Sequence, residues 1–70
     1  MNIVKTIRGR VLYKNIGTGF WGIEDTNGNQ WLPVNLPVSM RQEGKLVSLR
    51  VKTLEEENIF MWGTPVEIVG

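Results

Sequence analysis

The fold is decided by the stretch FWGIEDTNGNQWLPV, residues 20–34. Polar and apolar residues alternate on both sides of Asn27-Gly28, and Asn-Gly between alternating segments is the strongest short-range signal for a β-hairpin. A two-residue turn sets two apolar pairs on one face: Ile23 opposite Leu32, and Trp21 opposite Val34. The other face then holds three pairs: Glu24 opposite Trp31, Gly22 opposite Pro33, and Phe20 opposite Asn35. The apolar pairs predict the core face of the hairpin.

The same two-residue alternation continues outside the hairpin. Residues 3–13 are predicted to form a long first strand that bends at Gly9, because glycine allows a strand to coil sharply. Residues 45–53 are predicted to form a fourth strand with Val47, Leu49 and Val51 on one face. Residues 59–62 are predicted as the fifth strand, with Trp62 in the core, and residues 65–69 extend it or return along an edge.

Pro33 and Pro37 limit regular strand pairing after the hairpin, since proline has no N–H to donate. Residues 36–44 are the one predicted helical piece, with a turn or two around residues 39–42 that is closed by Gly44. Turn signals recur about every ten residues, which is typical of closed sheets and barrels. The prediction is one all-β domain over residues 1–70, a five-stranded OB-like barrel with a short helical turn between strands 3 and 4. Other small five-stranded barrels remain alternatives.

Composition excludes several classes of protein. The 70 residues contain no Cys and no His, so there is no disulfide, no thiolate or imidazole ligand for zinc and no cysteine nucleophile. The net charge of +1 predicts no partner by itself. The longest apolar run, residues 59–62, is far shorter than the roughly 20 residues of a membrane helix. We therefore expect no membrane span. Because residues 1–10 contain no apolar signal core, we also expect a cytoplasmic location.

Catalytic chemistry finds little support in this sequence. Glu24 and Asp25 are neighbours on a strand, so their side chains point to opposite faces and cannot act as a carboxylate pair. The acidic residues 55–57 are predicted to be a solvated turn. Gly17 and Gly19 precede a strand rather than a helix, which argues against a phosphate-binding loop. We therefore expect no enzyme, no cofactor and no metal.

The aromatic and basic residues are the candidates for binding. Phe20 and Trp31 are predicted on the outer face of strands 2 and 3, where OB barrels stack bases or other flat groups. Packing in the core or under residues 63–70 is the alternative for both. Five cations are predicted to form a stripe on strands 1 and 4: Arg8, Arg10, Lys14, Arg50 and Lys52. An ordinary solvated face that protects the sheet from aggregation is the alternative for these.

Short motifs over residues 9–69 carry a resemblance to known proteins: Gly19-Phe20-Trp21-Gly22-Ile23, Asp25, Gly28, Pro33, Asn35-Leu36-Pro37, Gly44 and Met61-Trp62-Gly63-Thr64-Pro65-Val66-Glu67-Ile68. With these motifs the chain resembles a group of small archaeal and bacterial domains of uncharacterised function. The resemblance implies an OB-like barrel and transfers no catalytic residue. Several domains of that group follow a secretion or lipoprotein leader, which implies a location outside the cytoplasm for them.

These observations predict a non-enzymatic binding module that engages single-stranded nucleic acid weakly. Phe20 and Trp31 would stack bases, and the five cations would contact phosphates. The alternative is a protein-interaction or self-assembly module that uses Phe20, Trp31 and the Leu36-Pro37 loop. A third alternative is a small-molecule or oligosaccharide site on the same aromatic face.

Overall fold

Five β-strands and one short 3-10 helix make up the architecture. The structure is a computed structural model that describes residues 3–55 and 62–70. In chain order the elements are β1 (Val4–Lys14), β2 (Phe20–Asp25), β3 (Gln30–Pro33), the 3-10 helix (Val38–Met40), β4 (Leu46–Thr53) and β5 (Thr64–Ile68). No helix formed by the described residues has the length and apolar character needed to cross a bilayer.

The strands close into a barrel in the order β1-β2-β3-β5-β4. Neighbouring strands are antiparallel except β3 and β5, which pair in parallel. An all-β fold with a closed five-stranded barrel and a 3-10 turn between strands 3 and 4 confirms the predicted fold class. The 3-10 helix is shorter than predicted, and Gly44 does not close it. The Gly44 N–H instead donates to the Val11 carbonyl at 2.7 Å, so the segment that leads into β4 already contacts β1 at this point.

The fifth strand lies further along the chain than predicted. Residues 59–61 of the predicted strand lie outside the described residues, and Trp62 belongs to no strand. The barrel is completed by Thr64–Ile68, which contains Pro65. Pro65 has no N–H to donate and takes part in the pairing through its carbonyl, which accepts a hydrogen bond from the Leu54 N–H at 3.0 Å.

β1 is shared between two neighbours. Its first part pairs with β4 and its second part with β2, and Gly9 pairs with Val47 on one side and Asp25 on the other. A Cβ added to Gly9 would lie 2.7 Å from the Asp25 Cα, closer than real Cβ contacts allow. Glycine at this position therefore lets the backbone of β2 approach β1.

The core fills the barrel with side chains from every strand. Its buried residues are Ile7, Val11, Ile23, Trp31, Leu36, Leu49, Val51 and Val66. Val11 pairs with Ile23, and Ile7 pairs with Leu49, so alternate residues of these strands point outward. The predicted inner face of strand 4 is confirmed, and so are the inner positions of Ile7 and Val11 on strand 1. Alternation also predicts Ile3 and Tyr13 on that inner face, but they are 57% and 45% exposed.

The hairpin register differs from the prediction by one residue. Ile23 pairs with Trp31, and Glu24 pairs with Gln30. The loop is therefore three residues long, Thr26 to Gly28, rather than two. Gly28 adopts φ 85°, as expected for a three-residue hairpin loop that ends in a left-handed residue.

The side chain of Asp25 explains this longer loop. Its Oδ1 accepts hydrogen bonds from the backbone N–H groups of Asn27 and Asn29, both at 2.9 Å. The Asp25 carbonyl also accepts from the Gly28 N–H at 3.0 Å. Aspartate at the start of a turn competes in this way with the two-residue geometry that Asn-Gly favours. The shift moves Trp31 from the outer face to the core.

Candidate functional site

Trp31 is a core residue and cannot stack a base. Its side chain is 7% exposed, and its Nε1 donates to Asp25 Oδ2 at 2.8 Å. The Lys5 ammonium lies 4.9 Å from the centre of the ring, in the range of a cation–π contact. The predicted place of Trp31 on an exposed platform is wrong because the register shift turns this side chain inward, and the alternative of core packing holds.

Asp25 acts as a structural brace for this tryptophan. Desolvation raises the pKa of Asp25, but hydrogen bonds from the Trp31 indole and from Asn29 and Asn27 together lower it by more. The net effect is an Asp25 pKa below the ordinary value of 3.8. Four hydrogen-bond donors therefore keep the Asp25 carboxylate ionised, and the carboxylate in turn holds the hairpin loop and the Trp31 indole in place.

Phe20 lies on the outer face of β2, as predicted, but it is covered. It pairs with Lys14 across the sheet and is 9% exposed. The Trp62 ring packs against it, with ring centroids 5.4 Å apart and planes inclined by 53°. Phe20 is therefore covered, but by Trp62, which precedes residues 63–70, the segment that the alternative named as the cover.

Among the residues that the structure describes, Trp62 is a partly exposed aromatic residue on this face, where Phe20 and Trp31 were predicted. Its side chain is half-buried and lies over Gly22, where an added Cβ would overlap the indole ring. The Lys14 ammonium is 5.5 Å from the ring centroid. We call the group formed by Trp62, Phe20, Gly22 and Lys14 the Trp62 surface.

The predicted core position of Trp62 is wrong. The residue lies in the connection between β4 and β5, two positions before β5, and its ring packs on the outside of β2. The signal that could have found it is Gly22, a residue without a side chain in the middle of an outer strand face. A strand glycine often marks a close approach by another group.

The basic residues lie where the alternation predicts them. Arg8, Arg10 and Lys14 occupy the outer face of β1, and Arg50 and Lys52 occupy the outer face of β4. The two strands are neighbours in the barrel: Arg8 pairs with Ser48, and Thr6 pairs with Arg50. All five cations are thus on two adjacent strands, and Lys14 joins this stripe to the Trp62 surface.

Two of the five cations have carboxylate partners. Arg10 contacts Glu24 across β1 and β2 at 3.4 Å, and Lys52 contacts Glu67 across β4 and β5 at 3.7 Å. Exposed ion pairs of this kind contribute about 0–1 kcal/mol, so an anionic ligand can compete with them. Arg8 and Arg50 form no ion pair with the residues described here.

The large apolar side chains predicted for a protein-interaction surface are not exposed. Trp31 and Leu36 are buried, and Phe20 is covered by Trp62.

In residues 3–55 and 62–70 no group of three acidic side chains is arranged to hold a metal ion. Comparisons with protein-family models, curated proteins and solved structures found no match. The resemblance to small archaeal and bacterial domains therefore stays a prediction.

Proposed function

We propose that this chain is an OB-like binding module, without catalytic activity, that binds single-stranded nucleic acid weakly on the outer face of β1 and β2. The strand order, the long shared β1 and the 3-10 turn before β4 support an OB-like barrel. Ligands of such barrels contact strands 2 and 3 and the loops that follow strands 1 and 4. Trp62 ends the loop that follows β4, and its ring lies on β2.

The single observation that carries this proposal is the position of Trp62 over Gly22 beside Lys14. An indole ring held against a strand offers a rigid flat surface, and stacking on such a ring stabilises a bound base by about 1–3 kcal/mol. The neighbouring ammonium supplies a positive charge for the phosphate that joins two stacked bases.

The basic stripe extends this site along β1. Lys14 and Arg8 are six residues apart, about 20 Å along a strand, which gives room for several nucleotides. Three of the cations, Lys14, Arg8 and Arg50, have no carboxylate partner among the described residues. Three phosphate contacts predict a slope of about −2 in log affinity against log salt. This is a modest electrostatic contribution, in keeping with the net charge of +1.

Fluorescence anisotropy of a labelled oligothymidylate of about ten nucleotides, within the site size of an OB barrel, tests the proposal. We expect binding at about 50 mM salt that weakens about 15-fold at about 200 mM. Trp62→Ala should weaken it about tenfold, whereas Trp62→Phe should retain part of the stacking. Lys14→Gln should weaken binding and lower the salt slope. Lys45→Gln removes the same charge just before β4 and serves as the control.

Absence of any anisotropy change at the lower salt concentration would refute the proposal, since electrostatic binding is strongest there. Equal binding by the wild type and the Trp62→Ala variant would remove the role of the ring. The proposal also implies a cytoplasmic location, where single-stranded RNA is met, and fractionation of the host cell with antibody detection tests this.

A further inference from the structure

A cleft opens at the end of the barrel where β2 begins and β3 ends. Its volume is about 330 Å³, and six apolar residues line it: Phe20, Trp21, Leu32, Pro33, Val34 and Leu36. Small-molecule sites range from about 300 to 1,000 Å³, so this cleft suits a compact group of about one ring. The cleft shares Phe20 with the Trp62 surface but lies around the start of β2 and the end of β3.

One charged residue, Arg41, also lines the cleft. Its Nε donates to the Leu36 carbonyl at 3.1 Å, and this bond fixes the guanidinium beside the apolar walls. The terminal nitrogens of the guanidinium retain their own N–H donors. No carboxylate among residues 3–55 and 62–70 lies within ion-pair distance of Arg41. The positive charge at the cleft is therefore not compensated by this part of the chain.

We propose that this cleft binds a compact apolar group that carries one carboxylate. The apolar walls remove a ring or a branched side chain from water, and the guanidinium pairs with both oxygens of a planar carboxylate. A phosphate fits less well, because its further oxygens would face apolar side chains without hydrogen-bond partners. The Arg41 guanidinium thus selects a planar carboxylate, and the six apolar residues select an apolar group beside it.

Two sources carry this chemistry: a free aryl carboxylic acid, and the C-terminus of a peptide that ends in a large apolar residue. The probes are 3-phenylpropionate for the first and N-acetyl-glycyl-phenylalanine for the second. The corresponding amides, 3-phenylpropanamide and the amidated peptide, keep the ring and remove the charge. Nitrogen–proton correlation spectra of the isotope-labelled protein give a chemical shift for each backbone and indole N–H, so they show which residues respond to the probe. The indole signal of Trp21 is the reporter at the cleft, and that of Trp62 reports on the outer face.

We expect saturable shifts of the Trp21 indole signal and of residues 32–36 with both acids. The amides should bind about tenfold more weakly, since the charge-assisted pair is lost. A peptide that binds about tenfold more tightly than 3-phenylpropionate would identify a peptide C-terminus as the source. Equal affinities would identify the free acid. Either result supports the cleft as a carboxylate site.

Arg41→Gln should weaken binding of the acids about tenfold, and Arg50→Gln, which removes an arginine from the outer face of β4, should leave it unchanged. Because Arg41 also holds the Leu36 carbonyl, Val34→Asp serves as a second variant. The Val34 side chain is 53% exposed, so an aspartate fits there and repels a carboxylate. No saturable shift with either acid, equal binding of acids and amides, or unchanged binding in both cleft variants would overturn the proposal. The experiment contains no nucleic acid, so its outcome is independent of the function proposed above.

Discussion

Replacing Asp25 with alanine removes four hydrogen bonds at once. The carboxylate accepts from the backbone N–H groups of Asn27 and Asn29, from the Asn29 side-chain amide at 3.2 Å, and from Trp31 Nε1. The first three donors belong to exposed residues and can turn to water. The Trp31 indole is more restricted, because the side chain is 7% exposed and its N–H meets water only through the space that the carboxylate leaves.

The expected cost combines these contributions. An unsatisfied buried donor costs about 1–3 kcal/mol, and each exposed bond contributes a few tenths to about 1 kcal/mol. Asp25→Ala should therefore lower the free energy of unfolding by about 2–6 kcal/mol. A domain of this length has a total stability of roughly 4–10 kcal/mol. The loss is a large fraction of that total.

Urea unfolding followed by far-ultraviolet circular dichroism measures this loss. A double-mutant cycle with Trp31→Phe isolates the indole bond, and we expect a coupling energy of about 1–2 kcal/mol. Glu67→Gln is the matched control: it neutralises an exposed strand carboxylate that pairs with Lys52 at 3.7 Å, and it should cost under about 0.5 kcal/mol. A loss below about 1 kcal/mol for Asp25→Ala, or an absence of coupling to Trp31, would refute the reasoning.

Three further predictions concern pH and two glycines. Because the pKa of Asp25 is lower in the folded state, its stabilisation is present above the ordinary pKa of 3.8 and is lost as the pH falls through the folded value. The urea midpoint should therefore fall over that window in the wild type and much less in Asp25→Asn. Gly22→Ala should displace the Trp62 ring, seen as a shift of its indole NMR signal, and should weaken oligonucleotide binding while circular dichroism stays unchanged. Gly9→Ala should destabilise the barrel by about 1–3 kcal/mol in urea unfolding, since the backbones of β1 and β2 must separate; a loss within 0.5 kcal/mol, about the effect of a surface substitution, would contradict this close approach.

Alternation of apolar and polar residues predicts β1, β2 and β4, and the regular spacing of turn signals adds the closed barrel. The pattern in residues 4–14 and 46–53 is regular because these strands bury one face and expose the other. The outer positions of the five cations follow from the same pattern. The five cations lie close together because β1 and β4 are neighbours in the barrel. That strand order follows from the prediction of an OB-like barrel and not from the alternation.

The errors arose where a side chain or a distant contact overrides local pattern. The hairpin register depends on the bonds from Asn27 and Asn29 to Asp25, which turn statistics for Asn-Gly do not include. The position of Trp62 depends on the open space above Gly22, a contact between residues 40 positions apart in sequence. No periodicity within a strand can reveal such a contact.

The barrel is closed by a short parallel pairing between β3 and β5. β3 and β5 pair in parallel over three residues, from Trp31 with Thr64 to Pro33 with Val66. Separation of these two strands would expose two unpaired strand edges at once, and such edges are templates for association with other copies of the chain. Closure at this seam therefore protects the protein against aggregation, and the Asp25 brace on Trp31 secures one side of it.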